Sequence, residues 1–207
     1  FQERAIWYAL YNSLVIAISS TFASTILGGL AAFALYRYKN SKLQKFNYGL
    51  IYTPLILPDI LMGISLLLFF IFLNIKLGLF TIFIAHTTFC LSYVTMVLLS
   101  RLQNFDFALV EAASDLGANP WQIFKKILFP LLSPGIMAAA LLAFTLSIDD
   151  FVITFFVAGP GSTTLPIYVY GMIKFGSPQL INALSVLLLV VTFSFVWLTH
   201  KLLGEEA

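Results

Sequence analysis

The sequence predicts an all-α membrane protein, and three observations carry that expectation. Sixty per cent of the 207 residues are hydrophobic and only 10% are charged. The mean hydropathy is +0.98, which a soluble domain of this size could not cover with polar surface. Each apolar run is long enough for a membrane helix, and none shows the roughly ten-residue alternation of a transmembrane barrel.

Five spans follow in order, at about Trp7 to Tyr36, Phe46 to Leu73, Leu79 to Ser100, Leu131 to Val157 and Leu180 to His200. The chain opens at Phe1 without a methionine and without a basic leader, so a further span is expected before it and a cleavable signal is not. The first span carries Ser20, Ser24, Gly28 and Ala32 four residues apart, a small-residue stripe that invites close helix contact. Basic residues then fix the orientation. Arg37, Lys39, Lys42, Lys45, Arg101, Lys125, Lys126 and Lys201 fall on one side, against Arg4, Lys76 and Lys174 on the other. The excess marks the cytoplasmic face, so residue 1 lies outside and the end of the chain inside.

The second span is interrupted by Pro54 and Pro58, followed at once by Asp59. Two prolines in five residues remove backbone donors, so a bent or broken helix is expected there. In the third span, Cys90 is the chain's one cysteine, which excludes an intrachain disulfide and a thiol-rich metal site. It reads as a small apolar filler. His86 has no second histidine or carboxylate at ligand spacing, so it reads as a satisfied or pore-lining residue, and no metal site is expected.

The connection after the third span, Asn104-Phe-Asp-Phe-Ala-Leu-Val-Glu111-Ala-Ala-Ser-Asp115-Leu-Gly117-Ala-Asn119-Pro120, is too polar to cross a bilayer. Asp106 is placed to cap a short helix, Gly117 to end it in the left-handed conformation, and Asn119 with Pro120 to start the next. Phe105, Leu109, Ala112 and Leu116 recur at helical spacing beside the acids Asp106, Glu111 and Asp115. Such a face suits either a groove on another protein or the membrane surface, although surface helices usually carry Lys or Arg where this one carries acids.

The fourth span repeats the small-residue stripe with Gly135, Ala139, Ala143 and Ser147, and ends on Asp149 and Asp150. An ionised carboxylate in a span costs roughly 2.5–3.5 kcal/mol, so Asp59, Asp149 and Asp150 are expected to face a protein-lined path. A straight helix puts Asp149 about 28 Å beyond Pro130 and Asp59 about 21 Å beyond Lys45, in the outer half of the bilayer for the first and a similar level for the second. There they suit a cationic solute, with Tyr93, Phe151 and Phe155 adding cation–π contacts. The alternative use of Asp149 or Asp150 is to cap a broken helix or to pair with a partner subunit. No phosphate-binding glycine loop and no nucleophile–base pair can be assembled, so no catalytic site is expected.

Glu111-Ala112-Ala113, three residues, Gly117, nine residues, then Ile127 and Pro130 resembles the EAA motif of permease subunits in binding-protein-dependent ABC importers. Phe129 stands where that pattern usually has leucine. The resemblance covers essentially the whole chain. In Pro58-Asp59-Ile-Leu-Met-Gly-Ile-Ser65 and in the run from Phe144 to Pro160, the chain is similar to spermidine/putrescine importer permeases in particular. It implies the type I importer permease fold, with five of six spans present, as one transmembrane domain over residues 1–207 whose coupling loop is about 102–130. It further implies that Glu111, Ala112, Ala113, Asp115, Gly117, Ile127 and Pro130 engage an ATPase subunit. The implied partners are a second homologous permease, two ATPase subunits that hold ATP and Mg, and a periplasmic or lipid-anchored solute-binding protein, which the loop Gly159 to Pro166 would meet. The chain itself would bind no cofactor and no nucleic acid, and would lie in the bacterial inner membrane among lipid. An importer of another solute and a proton-coupled carrier using Asp59 and Asp149 are the rival expectations.

Overall fold

Small side chains decide which helices touch. The computed structural model describes residues 4–38, 44–175, 186, 189–194 and 197. The chain runs through α1 (Arg4–Arg37), α2 (Gln44–Ile56), α3 (Asp59–Phe72), α4 (Leu79–Gln103), α5 (Ala108–Asp115), α6 (Pro120–Ile123), a π-helical turn at Phe124–Leu128, α7 (Phe129–Asp149), α8 (Val152–Val157) and α9 (Leu165–Phe175). No strand occurs among the described residues.

The helices α1, α4 and α7 pack on one another as the centre of the fold. Both expected stripes face inward: Ser20, Ser24, Gly28 and Ala32 of α1 and Gly135, Ala139, Ala143 and Ser147 of α7 are all buried. Without a Cβ, Gly28 lets α4 approach so closely that an added methyl would lie 2.7 Å from Val94 Cγ1. The hydroxyl of Thr95 spans the same contact, donating to Leu91 O at 2.7 Å and reaching Gly28 O at 3.3 Å. Where lipid is as apolar as leucine, such close packing and shared hydrogen bonds are what hold helices together. Ile18, Phe22, Leu30 and Phe72 stay exposed on the outer surface of the bundle, as a bilayer or a further subunit requires.

The second span is broken as its prolines require. Helices α2 and α3 meet at 112° around Leu57 and Pro58. Leu57 N still donates to Thr53 O at 3.0 Å, but Pro58 is extended, and its carbonyl starts the new helix by accepting from Leu61 N and Met62 N. The fourth span departs from its expected course from Leu131 to Val157. Its helical run begins at Pro120 and stops at Asp149, and Asp150 (ψ 122°) breaks it before α8. The cause is local: the Asp150 side chain takes the backbone N–H groups of Ile153 and Thr154, which starts a separate helix. The expected fifth span, Leu180 to His200, falls mostly outside the described residues.

Polar contacts stitch the outer ends together. Asn12 Nδ2 donates to Gly161 O (3.3 Å) and Thr163 O (3.0 Å), and Leu165 N donates to Ser13 Oγ (2.8 Å). Thr81 Oγ1 donates to Val157 O at 2.8 Å. Gly159 lies so close to the turn before α4 that a Cβ there would stand 1.9 Å from Leu77 O. The α3–α4 and α8–α9 connections therefore form one interlocked surface. Gly159→Ala is expected to lower stability by about 2–3 kcal/mol through overpacking against a rigid backbone. Gly49→Ala, on the exposed face of α2 with nothing within 4 Å, is the control and should hold or slightly raise stability; the unfolding midpoints of the two variants in mild detergent are the measurement.

Candidate functional site

Two places on the molecule carry chemistry, one at each end of the long α6–α7 run. The one at the α6 end is a helical corner. Asp106 Oδ1 accepts from Ala108 N at 3.0 Å and starts α5. Gly117, with φ of +83°, ends it: Gly117 N donates to Ser114 O (2.9 Å) and Ala118 N to Ala113 O (3.0 Å), the paired bonds of a left-handed C-terminal cap. Asn119 and Gln122 then cap α6 reciprocally, each side chain accepting from the other's backbone N–H at 2.9 Å.

The next helix passes two prolines without breaking. Phe129 N donates to Phe124 O, a π-turn that absorbs the donor missing at Pro130. Pro134 leaves Pro130 O without its usual partner, and the Ser133 hydroxyl donates to it at 2.9 Å. Ile127 is half-buried in the π-turn, and Pro130 is exposed in the first turn of α7.

No residue of α5 is buried. Glu111, Ala112, Asp115 and Gly117 are exposed and Ala113 is half-buried, while Leu109 (47%) and Leu116 (89%) leave large apolar side chains uncovered. Phe105, expected on that same face, instead packs edge-on against Phe107, with ring centroids 4.9 Å apart. Phe107 in turn stacks on Tyr36 at the C-terminal end of α1, at 4.7 Å and 10° between planes. The sequence gives no sign of this anchor, since Phe107 falls off the helical spacing of Phe105, Leu109, Ala112 and Leu116. The arrangement fixes the corner to the bundle while leaving its acidic and apolar face open.

The second place lies at the outer end of α7. Asp149 and Asp59 are exposed, Asp59 in the first turn of α3, and neither makes a hydrogen bond or ion pair among the described residues. Asp150, the adjacent acid, is used differently. Its carboxylate accepts from Ile153 N (3.3 Å), Thr154 N (2.8 Å) and Thr154 Oγ1 (2.7 Å), and lies 3.3 Å from His86 Nε2. His86, 1% exposed, also meets Thr154 Oγ1 through Nε2 at 2.8 Å and Ser147 Oγ through Nδ1 at 2.7 Å. Ser147 continues to Ser20 of α1 at 3.0 Å. A polar chain thus joins α1, α4, α7 and α8 through the middle of the bundle. The sequence signals for it were the four-residue step from Asp150 to Thr154 and the two serines on the small-residue stripes.

Phe151 is half-buried and forms an aromatic group with Phe155 (5.5 Å) and Tyr170 of α9 (4.8 Å). Phe155 and Tyr170 are partly open to the surface. Tyr93 is half-buried against the helical core, separate from this group. Helix α3 packs against α8 across Gly63, where a Cβ would lie 2.6 Å from Phe156, so the two broken spans come together in one layer. Among the described residues, no group of three His, Cys, Asp or Glu side chains is arranged to hold a metal ion.

This geometry has known counterparts. A family model described as "Binding-protein-dependent transport system inner membrane component" matches residues 24–202. The chain is 42% identical over 188 residues to the spermidine/putrescine transport system permease protein PotC of Escherichia coli K12, covering 91% of this chain and 71% of that one. It is 42% identical over 194 residues to the putrescine transport system permease protein PotI of the same strain, covering 91% and 69%. Among solved structures, it superposes with a TM-score of 0.81 on a chain of the MetNI methionine ABC transporter in an inward facing conformation, at 19% identity and full coverage of both chains. A chain of a bacterial alginate ABC transporter, solved with an alginate pentasaccharide-bound periplasmic protein, gives 0.75 at 15% identity over 97% of this chain and 79% of that one. These last two carry the fold alone. With its broken second span, its capped helical corner and this breadth of similarity, the chain belongs to the family of inner membrane components of binding-protein-dependent transport systems.

Proposed function

We propose that this chain carries a polyamine across the bacterial inner membrane as one of two permeases in an ATP-driven importer. The observation that carries the reading is the uncovered face of α5, an acidic and apolar helix held at a fixed angle by Gly117 and tied to α1 by the Tyr36–Phe107 stack. Such a face fits a cleft on a separate ATPase subunit. ATP and Mg belong to that subunit, and this chain is the non-catalytic membrane component. Glu111, Ala112, Ala113, Asp115 and Gly117 are the docking residues in this reading. Ile127 and Pro130 set the direction in which α7 leaves the corner.

The cargo class is argued from charge and from the relatives. Both E. coli relatives are named for putrescine or spermidine transport. Asp59 and Asp149 supply exposed carboxylates on broken spans, and the group of Phe151, Phe155 and Tyr170, which begins just after Asp149 in the chain, supplies aromatic faces. An ammonium group gains charge-assisted hydrogen bonds from the first and cation–π contact from the second, without being sealed in a dry cavity. The solute arrives from a binding protein that meets the outer loops, where Pro160, Gly161 and Thr163 are exposed while Ser162 and Thr164 are buried. Closure of the ATPase pair moves α5, and α5 moves α1 and α7.

The test is uptake of labelled spermidine by the complete complex in liposomes, supplied with ATP and the liganded binding protein. Asp149→Asn is expected to raise the KM about tenfold, since it removes one charged hydrogen-bond partner from the path. Uptake that persists without ATP and stops when a proton gradient is collapsed would overturn the importer reading in favour of a proton-coupled carrier.

A second expectation concerns the corner. Gly117→Glu should reduce ATP-dependent uptake at least about tenfold, because it places a large side chain at φ +83° in the docking face. Gly117→Asn, which tolerates that conformation, should retain most of the uptake. Equal uptake by both variants and wild type would remove α5 from the coupling path.

A further inference from the structure

The carboxylate of Asp150 is met by four donors, three of them at Oδ2, and the geometry fixes how. Thr154 has a single hydroxyl hydrogen, and at 2.7 Å it is directed to Asp150 Oδ2. Its oxygen therefore faces His86 as an acceptor, which places a proton on His86 Nε2, aimed at both Thr154 Oγ1 (2.8 Å) and Asp150 Oδ2 (3.3 Å). Two backbone N–H groups of α8 complete the shell. Asp149, one residue earlier and exposed, has no such partners among the described residues. A path that must release its cargo needs sites that bind weakly enough to be left, and two free carboxylates side by side would hold a polycation too firmly.

We infer that His86 is a positioning residue that withdraws Asp150 from the solute path, keeping it as the cap of α8 so that Asp149 alone of the pair offers free charge. The inference rests on the reading of a cationic cargo. It assigns the adjacent acids two separate tasks and makes the depth of the binding well depend on a histidine that the cargo does not touch. Loss of His86 leaves Asp150 Oδ2 short of one donor and turns part of its charge toward the path.

The experiment uses the complete complex in liposomes with spermidine as probe. His86→Ala is expected to lower both Vmax and KM, each about tenfold, the signature of a cargo that binds tightly and leaves slowly. His86→Gln, whose amide reaches the place of Nε2, should restore both values. His86→Asn, whose amide reaches the place of Nδ1, should not. Adding Asp150→Asn to His86→Ala should bring the KM back up. A fall in Vmax at unchanged KM, or equal rescue by Gln and Asn, would show a merely structural role and overturn the inference. If His86→Ala does not assemble, the contrast between the Gln and Asn variants decides the matter in its place.

A wild-type complex that takes up no spermidine would sink the cargo reading instead, and a second measurement then decides the inference on its own. With Cys90 replaced by serine and Asp149→Cys as a reporter, a cationic thiol reagent should gain severalfold in labelling rate over an uncharged one when His86 is replaced by Asn, and not when it is replaced by Gln. An unchanged ratio of rates overturns the inference.

Discussion

Inside a hydrocarbon layer an unpaired charge or backbone group is costly, and the architecture follows from where the partners are found. The chain spends its polar side chains at three levels. At the outer surface Asn12, Ser13 and Thr81 close the ends of helices against loops. In the interior, Ser20, Ser147, His86, Thr154 and Asp150 satisfy one another in a single run. At the α5–α6 corner, Asp106, Asn119 and Gln122 cap exposed helix ends. Only the interior run had to be complete within itself, and it coincides with the break that creates α8.

The α5–α6 corner was nearly all legible in the sequence because its determinants are local. Asp106, Gly117 and the pair Asn119–Pro120 each act on backbone groups within five residues, and each takes the position their chemistry predicts. The helix-packing stripes were legible for a related reason: four-residue spacing of small side chains defines a face whatever lies opposite. The bend at Pro58 follows from a donor that proline lacks. These are statements about the chain alone, and tertiary structure had nothing to overrule.

The outer site was only half legible. Three acids in apolar surroundings stand out by cost, but which one the fold consumes depends on His86, which lies far earlier in the chain and arrives by way of α4. A shift of one residue in the helix break would exchange Asp149 and Asp150. That choice is set by the helix start at Val152 and by Thr154, and periodicity does not register it. The loop aromatic Phe107 was opaque for the opposite reason, since its partner Tyr36 lies in a distant span and nothing local pairs the two.

The stitching of the outer surface also bears on how the protein is made. The amide of Asn12 and the hydroxyl of Ser13 bond to residues 149 to 152 positions later in the chain. At a synthesis rate of about 5–20 residues per second, the first span waits roughly 8–30 s in the membrane before those partners leave the ribosome. During that interval water at the outer interface must serve in their place. The order of translation thus makes this seam one of the last contacts of the bundle to close, and α1 must hold its place in the membrane without it until then.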